Sequence, residues 1–259
     1  MAGRRLLPAA LDDVRSRPRE YAKLAVRRIL YRRRLDLIAD PYPARIVAML
    51  EHLGATTVLD VGANIGQFAT ALRASGYRGT IVSCEPLSDA FAHLRRRAAH
   101  DPAWDVRQTA VGSEVGSAQI NISANSFSSS LLEMTDAHTT AAPGSETVAA
   151  ETVPLTTLDE LARDLDLDAN RTMLKIDTQG YEPQVLDGAG PLVGKLAAIS
   201  LELSFVPLYA GQQLFDELLG RLRDAGYVLY AVEGGFGDRR TGRMLQCDGL
   251  FVRGDLVEQ

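Results

Sequence analysis

The segment 58–68 limits the possible folds most strongly, because it joins a buried strand, a glycine turn and the start of a helix. Its first residues are apolar, as in a strand that is covered on both faces. Gly62 and Gly66 then permit a tight turn and a close approach of a ligand to the backbone. Helical spacing resumes at Phe68. The pattern predicts a βα unit with a site for a nucleotide-type cofactor.

The turn lacks one glycine of the G-x-G-x-x-G fingerprint for dinucleotides, which weakens the case for a diphosphate ligand. Asp60, at the end of the strand, would instead orient the ammonium group of a zwitterionic ligand. S-adenosylmethionine has that chemistry. The structural alternative for Asp60 is the N-cap of the following helix.

A second predicted strand, 79–84, ends in Glu85 and Pro86 about twenty residues after the turn. In doubly wound folds an acidic side chain at this point binds the ribose hydroxyls of the cofactor. We therefore predict that role for Glu85. The alternative is a carboxylate at the strand end that faces solvent.

The chain has 259 residues, of which 46% are hydrophobic, and this suits one large α/β domain. We expect a domain over 41–259, preceded by a helical extension over 1–40. Cys84 and Cys247 lack C-x-x-C spacing and stand in apolar segments, which favours buried free thiols in a reducing cytoplasm. We see no signal peptide or membrane-spanning segment, so we expect a cytoplasmic protein.

The extension is strongly basic: residues 1–34 hold ten arginines and one lysine against three acidic residues, although the whole chain has a net charge of −5. Leu24, Ile29 and Leu30 lie among these arginines, a pattern typical of an amphipathic helix on an anionic membrane surface. The alternative is a helix packed over the domain with solvated arginines. The acidic remainder of the chain argues against nucleic-acid binding.

A third strand is predicted over 106–111 and a short one over 118–122. Residues 125–146 are then mainly small and polar, which predicts a long loop around His138. Loops of more than about 12 residues in a compact domain are commonly functional. We interpret this one as a lid over cofactor and acceptor, with a Ser/Thr-rich linker as the alternative.

A second strand-to-loop site begins at 172 and carries Lys175, Asp177 and Glu182. Charged side chains near the carboxyl end of a buried parallel strand are costly unless they serve a function. Lys175 and Asp177 share one face of the strand, so pairing with each other is their structural alternative. The next strand, 196–205, carries Glu202, for which Lys175 is the expected partner. A helix over 214–225 and strands over 227–232 and 245–252 close the chain as a β-hairpin.

Three motifs carry a resemblance to a known family: D-V-G-A-N-I-G-Q at 60–67, C-E-P at 84–86 and K-I-D-T-Q-G-Y-E at 175–182. Over roughly 40–253 the chain resembles the FkbM family of S-adenosylmethionine-dependent methyltransferases. The resemblance implies the class I, Rossmann-like α/β fold, with a seven-stranded sheet, an antiparallel last strand and helices on both faces. It also places cofactor contacts at Asp60, Gly62, Ala63, Asn64, Gly66, Gln67, Phe68, Glu85, Pro86, Ala110, Val111, Ser129 and Asp177.

The resemblance further implies methylation of hydroxyls on sugars or polyketide-like natural products. We predict O-methylation of a sugar hydroxyl on a glycolipid or glycosylated natural product, with S-adenosylhomocysteine as the second product. Such a transfer needs in-line positioning and a general base. His138 is the first candidate for the base, before Asp177 and Glu182, with Lys175 beside them. Alternatively, Asp177 and Glu202 hold Mg²⁺ against a substrate diol. The family often has Glu where this chain has Gln179, and an amide is a weaker ligand for a hard cation.

Two other readings stay open from the sequence alone. One is an O- or N-methyltransferase of a non-sugar small molecule, and the other is a non-catalytic module that keeps the cofactor fold. The basic extension favours a glycolipid acceptor at the inner membrane surface. A homodimer is the default expectation for the assembly.

Overall fold

The computed structural model describes residues 41–257, so the predicted basic extension over 1–40 lies outside the described residues. The strands are β1 Thr57–Val61, β2 Thr80–Cys84, β3 Trp104–Arg107, β4 Ala110–Val111, β5 Gly116–Ser123, β6 Thr147–Thr156, β7 Thr172–Ile176, β8 Ala198–Ser204, β9 Tyr227–Gly234, β10 Gly237–Asp238, β11 Arg243–Met244 and β12 Gln246–Arg253. The α-helices are α1 Tyr42–His52, α2 Gln67–Ala74, α3 Ser88–Ala98, α4 Asp136–Ala141, α5 Leu158–Asp164, α6 Glu182–Asp187, α7 Phe215–Asp224 and α8 Gly254–Val257.

The main sheet has seven strands in the order β3-β2-β1-β7-β8-β12-β9. The pairings from β3 to β8 are parallel, whereas β12 runs antiparallel to both β8 and β9. This arrangement confirms the predicted class I sheet with its antiparallel last strand. The carboxyl ends of β1, β2 and β7 therefore lie side by side at one edge.

Helices cover both faces of this sheet, which explains why its central strands read as apolar runs. On one face α1, α2 and α3 contribute Ile46, Leu72 and Leu94 to a core with Val58 of β1. On the other face α5, α6 and α7 pack against the alternate strand residues, such as Leu59. The period of two along β1 thus divides its side chains between two hydrophobic cores.

A second, three-stranded sheet has the order β4-β6-β5 and departs from the sequence prediction. The predicted single strand over 106–111 is wrong, because the chain leaves the main sheet after Arg107 and β4 pairs with β6 instead. The predicted long loop over 125–146 contains a short 3-10 helix, Ser126–Ser128, and helix α4. The β5–β6 pair flanks this segment.

Two smaller expectations concern the cysteines and the membrane. Cys84 and Cys247 are both free and buried, as predicted. Over residues 41–257 the helices are too short or too polar to cross a bilayer.

Candidate functional site

A cleft opens at the carboxyl edge of the main sheet. Nine residues predicted to contact a cofactor line it. Five come from the first βαβ unit: Gly62, Asn64, Gln67, Glu85 and Pro86. The other four are Ala110, Val111, Ser129 and Asp177.

The four remaining predicted cofactor contacts lie behind this wall rather than on it. Asp60 is fully buried and Ala63 is part of the core beneath α2. Gly66 faces Leu94 and Trp104, which leave no room for a β-carbon. The ring of Phe68 lies 5.5 Å from Lys175 Nζ. These positions support the turn from inside, and their roles as direct contacts stay predictions.

The glycine turn brings the ends of β1 and β7 into contact. Gly62 has φ of 78°, in the left-handed region, and a β-carbon there would collide with the backbone carbonyl of Asp177. The Asp177 N–H in turn donates to the Val61 carbonyl at 3.0 Å. Glycine at 62 is therefore required for Asp177 to reach the cleft.

Glu85 occupies the wall formed by β2, and its carboxylate is tied to the backbone on both oxygens. The N–H of Asn64 donates to Oε2 at 2.7 Å and the N–H of Leu87 donates to Oε1 at 2.9 Å. The side chain is 5% exposed, and this burial raises the pKa of Glu85 to about 7 despite both hydrogen bonds. The predicted alternative, a carboxylate that faces solvent, does not describe this residue.

Lys175 forms a buried ion pair with two carboxylates. Its Nζ lies 3.0 Å from Asp177 Oδ2 and 3.3 Å from Asp60 Oδ1. Ser83 Oγ donates to the second Asp60 oxygen at 3.2 Å. Burial lowers the pKa of Lys175, but the two neighbouring carboxylates outweigh that effect and raise it. The predicted pairing of Lys175 with Asp177 is thus present, and Asp60 joins it.

Glu202 receives its hydrogen bonds from two amides, so the expectation that Lys175 is its partner is wrong. Gln179 Nε2 donates to Glu202 Oε2 at 2.6 Å and Gln246 Nε2 donates to the same oxygen at 3.0 Å. Gln179 Nε2 also donates to Asp177 Oδ1 at 2.8 Å. Burial, together with the nearby charges of Asp177, Glu182 and Asp248, raises the pKa of Glu202 well above its usual value.

Glu182 holds the loop between β7 and α6. Its Oε1 accepts from the Thr178 N–H at 3.0 Å, the Thr178 hydroxyl at 3.2 Å and the Gly180 N–H at 3.2 Å. Burial raises the pKa of Glu182 to about 7. The carboxylate is thus turned towards the backbone of the loop, whereas Asp177 and Gln179 line the cleft.

His138 is 4% exposed and packs between two aromatic rings rather than projecting over the cleft. Its ring centroid lies 5.1 Å from that of Tyr209 and 5.4 Å from that of Phe236. Nε2 lies 3.2 Å from Ser128 Oγ, and burial lowers the pKa of His138. It therefore packs beneath the segment that carries Phe127 and Ser129 into the cleft.

Several residues that line the cleft were missed. Thr178, Gln179 and Tyr181 follow Asp177 directly, so the strand-end position was an available signal for them. Ile120, Phe127 and Leu131 come from β5 and the segment after it. Their place depends on how the second sheet folds back over the first, which the local pattern does not encode.

The expected metal ligands, Asp177 and Glu202, do meet: the Gln179 amide donates to both, and a direct hydrogen bond between the two carboxyl groups helps to lower the pKa of Asp177. Across residues 41–257, no cluster of three or more His, Cys, Asp or Glu side chains has a geometry that could hold a metal ion. These side chains therefore do not support the hypothesis of a Mg²⁺ site.

Comparison with known protein families identifies the family of the chain. The model of the methyltransferase FkbM domain matches residues 60–229, which include the glycine turn, Glu85, Asp177 and Glu202. The chain belongs to this family. The resemblance seen in the sequence is thereby confirmed, and the chain is a methyltransferase by family.

No curated protein sequence matches the chain. Among solved structures, it is similar to an rRNA methylase from Streptococcus thermophilus (6% identity, TM-score 0.44, covering 84% of this chain and 99% of that one). It is also similar to the 1,6-didemethyltoxoflavin-N1-methyltransferase of Burkholderia thailandensis with bound 1,6-didemethyltoxoflavin and S-adenosylhomocysteine (10% identity, TM-score 0.42, covering 98% and 93%).

Proposed function

We propose that this FkbM domain is an S-adenosylmethionine-dependent O-methyltransferase that acts on a sugar hydroxyl of a glycolipid or glycosylated natural product. The observation that carries the proposal is the position of Asp177. This carboxylate lies on the cleft wall, directly against the glycine turn that builds the cofactor side of the cleft. A proton acceptor and a cofactor cleft thus share one wall.

The residues of the cleft fit the methyl donor. Glu85 offers a carboxylate whose two oxygens each keep a lone pair for the ribose hydroxyls after accepting from Asn64 and Leu87. Leu87, Ile120 and Leu131 supply an apolar wall for the adenine ring. When bound, the sulfonium group of S-adenosylmethionine supplies an electrophilic methyl carbon.

Asp177 is our choice for the group that takes the acceptor proton. Of the three candidates from the sequence, it alone lines the cleft, because Glu182 bonds to its own loop and His138 is packed between aromatic rings. Burial raises the pKa of Asp177, but the charge of Lys175 and the hydrogen bonds to it outweigh burial and lower it. The carboxylate is therefore ionised at neutral pH and ready to accept a hydroxyl proton.

The chain's residues then divide the work of the transfer. Asp177 orients the hydroxyl and accepts its proton at a carboxylate oxygen as the new C–O bond forms. Lys175 donates to one oxygen of that carboxylate and Gln179 to the other, so both oxygens are held in place. The products are a methyl ether and S-adenosylhomocysteine, so one proton and one methyl group are accounted for.

Glycolipid as the acceptor class, contact with the inner membrane surface and a homodimeric assembly are parts of the proposal that rest on the sequence. The ten arginines before residue 35 favour an anionic surface near the acceptor. Unchanged association with anionic liposomes after deletion of residues 1–34 would remove that support.

The acceptor class is tested with methyl-labelled S-adenosylmethionine and a panel of alkyl glycosides that covers the common hexoses and deoxyhexoses. We expect label in a methyl ether of at least one glycoside, identified by mass spectrometry, and none in the matched alkyl alcohol and alkyl amine. Label in the amine alone would contradict O-methylation, and label in the alcohol alone would contradict a sugar acceptor.

A further inference from the structure

One amide side chain, that of Gln179, joins three polar groups at the base of the cleft. Its Nε2 donates to Asp177 Oδ1 at 2.8 Å and to Glu202 Oε2 at 2.6 Å, while its Oε1 accepts from the Tyr209 hydroxyl at 2.9 Å. An ionised carboxylate only accepts hydrogen bonds, whereas a hydroxyl can either donate or accept. The Asp177 carboxylate therefore sets the amide orientation, with Nε2 towards the carboxyl groups.

The position of this nitrogen is the one that a bridging cation would take. Two buried carboxyl groups side by side repel when both are ionised, so either one of them takes up a proton or a positive or proton-donating group lies between them. A hard cation such as Mg²⁺ would do this by binding oxygen atoms from both. Here the two protons of Nε2 serve the two carboxylates, and a cation would have to displace the amide and break its three hydrogen bonds.

The backbone also holds Gln179 in this place. Its φ of 56° lies in the left-handed region, which a non-glycine residue adopts only with surrounding support. That support includes the Ser130 hydroxyl, which donates to the Gln179 carbonyl at 2.7 Å, and Tyr209, whose hydroxyl also contacts the Ser128 carbonyl at 3.1 Å. The segment that carries Ser129 into the cleft is thus tied to the same residue.

We infer that Gln179 is a positioning residue that does the work of a bridging divalent cation, so that the Asp177 carboxylate is held for methyl transfer without a metal ion. The inference rests on the proposed function for the role of Asp177. Its structural content, an amide in the place of a cation, is independent of the acceptor.

The decisive experiment measures Mn²⁺ binding by electron paramagnetic resonance in the full-length wild type and in Gln179→Glu. The variant exchanges the donor amide for a third carboxylate of nearly equal shape. We expect no bound Mn²⁺ in the wild type and one bound ion per chain in Gln179→Glu. Gln119→Glu, at an exposed glutamine of β5, is the matched control and should bind none.

Two results would overturn the inference. One is Mn²⁺ bound by the wild type and lost in Glu202→Gln, and the other is no Mn²⁺ bound by folded Gln179→Glu. A thermal melt of each variant establishes folding. Binding of S-adenosylhomocysteine by the same samples tests the proposed function separately, because its absence would refute the cofactor without bearing on the amide.

Turnover gives a second readout of positioning. Chelation should leave wild-type methyl transfer unchanged, and Gln179→Leu should lower kcat by roughly 100-fold with little change in S-adenosylhomocysteine affinity, the size expected when a reacting group shifts by about 1 Å. Loss of wild-type turnover on chelation, restored by Mg²⁺, would contradict the inference.

Discussion

Asp177→Asn should abolish most methyl transfer while leaving the cofactor site intact. The amide keeps the size of the carboxylate but has no basic oxygen, so kcat is expected to fall by roughly 100- to 10,000-fold, the usual contribution of a general base. Lys175 keeps its contact with Asp60, so the fold should persist. Steady-state kinetics with calorimetric titration of S-adenosylhomocysteine measures both effects.

His138→Gln and Asp159→Asn are the controls for this experiment. Asp159 is exposed on α5 and should have no effect on kcat. His138 does not line the cleft, so its variant should lower the melting temperature and leave kcat almost unchanged. If His138→Gln loses as much turnover as Asp177→Asn with an unchanged melting temperature, the base is His138, as the sequence first suggested.

Lys175→Met should be the most destabilising single substitution at the site. Asp60 is 0% exposed and Lys175 is 8% exposed, so removal of the ammonium leaves a buried carboxylate without its counter-charge. Breaking a buried ion pair from one side costs about 3–5 kcal/mol in the free energy of unfolding. Urea denaturation measures the loss. Lys195→Met, at an exposed lysine, should cost almost nothing.

The loss in Lys175→Met should also depend on pH, with a sign set by Asp60. Burial raises the pKa of Asp60 above its value in the unfolded chain, and Lys175 opposes that rise. Between the unfolded and the folded pKa of Asp60, the folded state therefore holds a proton that the unfolded state has released. The free energy of unfolding falls as pH rises through that interval. Without Lys175 the folded pKa of Asp60 is higher still, so the interval between the two pKa values is wider. The stability of the variant should therefore be closer to that of the wild type at pH 5 than at pH 8. An equal deficit at both pH values would contradict this account.

The sequence was most informative where the structure is local. Around Gly62, an apolar run followed by two glycines is compatible with only a few backbone conformations. The structure has the predicted strand, turn and helix there. The same holds for the strand that leads to Asp177. Four of the predicted cofactor contacts that line the cleft lie in these two segments: Gly62, Asn64, Gln67 and Asp177.

Long-range pairing decided the features that were mispredicted. Residues 106–111 have a continuous strand pattern, yet β4 belongs to a second sheet because its partner β6 comes about forty residues later. Lys175 was predicted as the partner of Glu202 on charge alone, whereas the side-chain amides of Gln179 and Gln246 donate hydrogen bonds to Glu202. His138 was assigned to an exposed lid on the small polar residues around it, although Tyr209 and Phe236, distant in sequence, bury its ring.

Glu85 offers the most direct route to the central claim that the cleft binds S-adenosylmethionine. The ribose hydroxyls should bind the ionised carboxylate most strongly. Since burial raises the pKa of Glu85 to about 7, affinity for S-adenosylhomocysteine should increase as pH is raised towards 7 and level off above it. At lower pH a proton must be released on binding, which lowers the apparent affinity.

The one measurement that tests this claim is calorimetric titration of the wild type and Glu85→Gln with S-adenosylhomocysteine at pH 8, with Glu51→Ala on the exposed side of α1 as control. We predict binding by the wild type and the control, and affinity lower by roughly 10- to 100-fold in Glu85→Gln, the effect of losing hydrogen bonds to a charged group. No binding by folded wild type, or equal affinity in Glu85→Gln, would contradict the account.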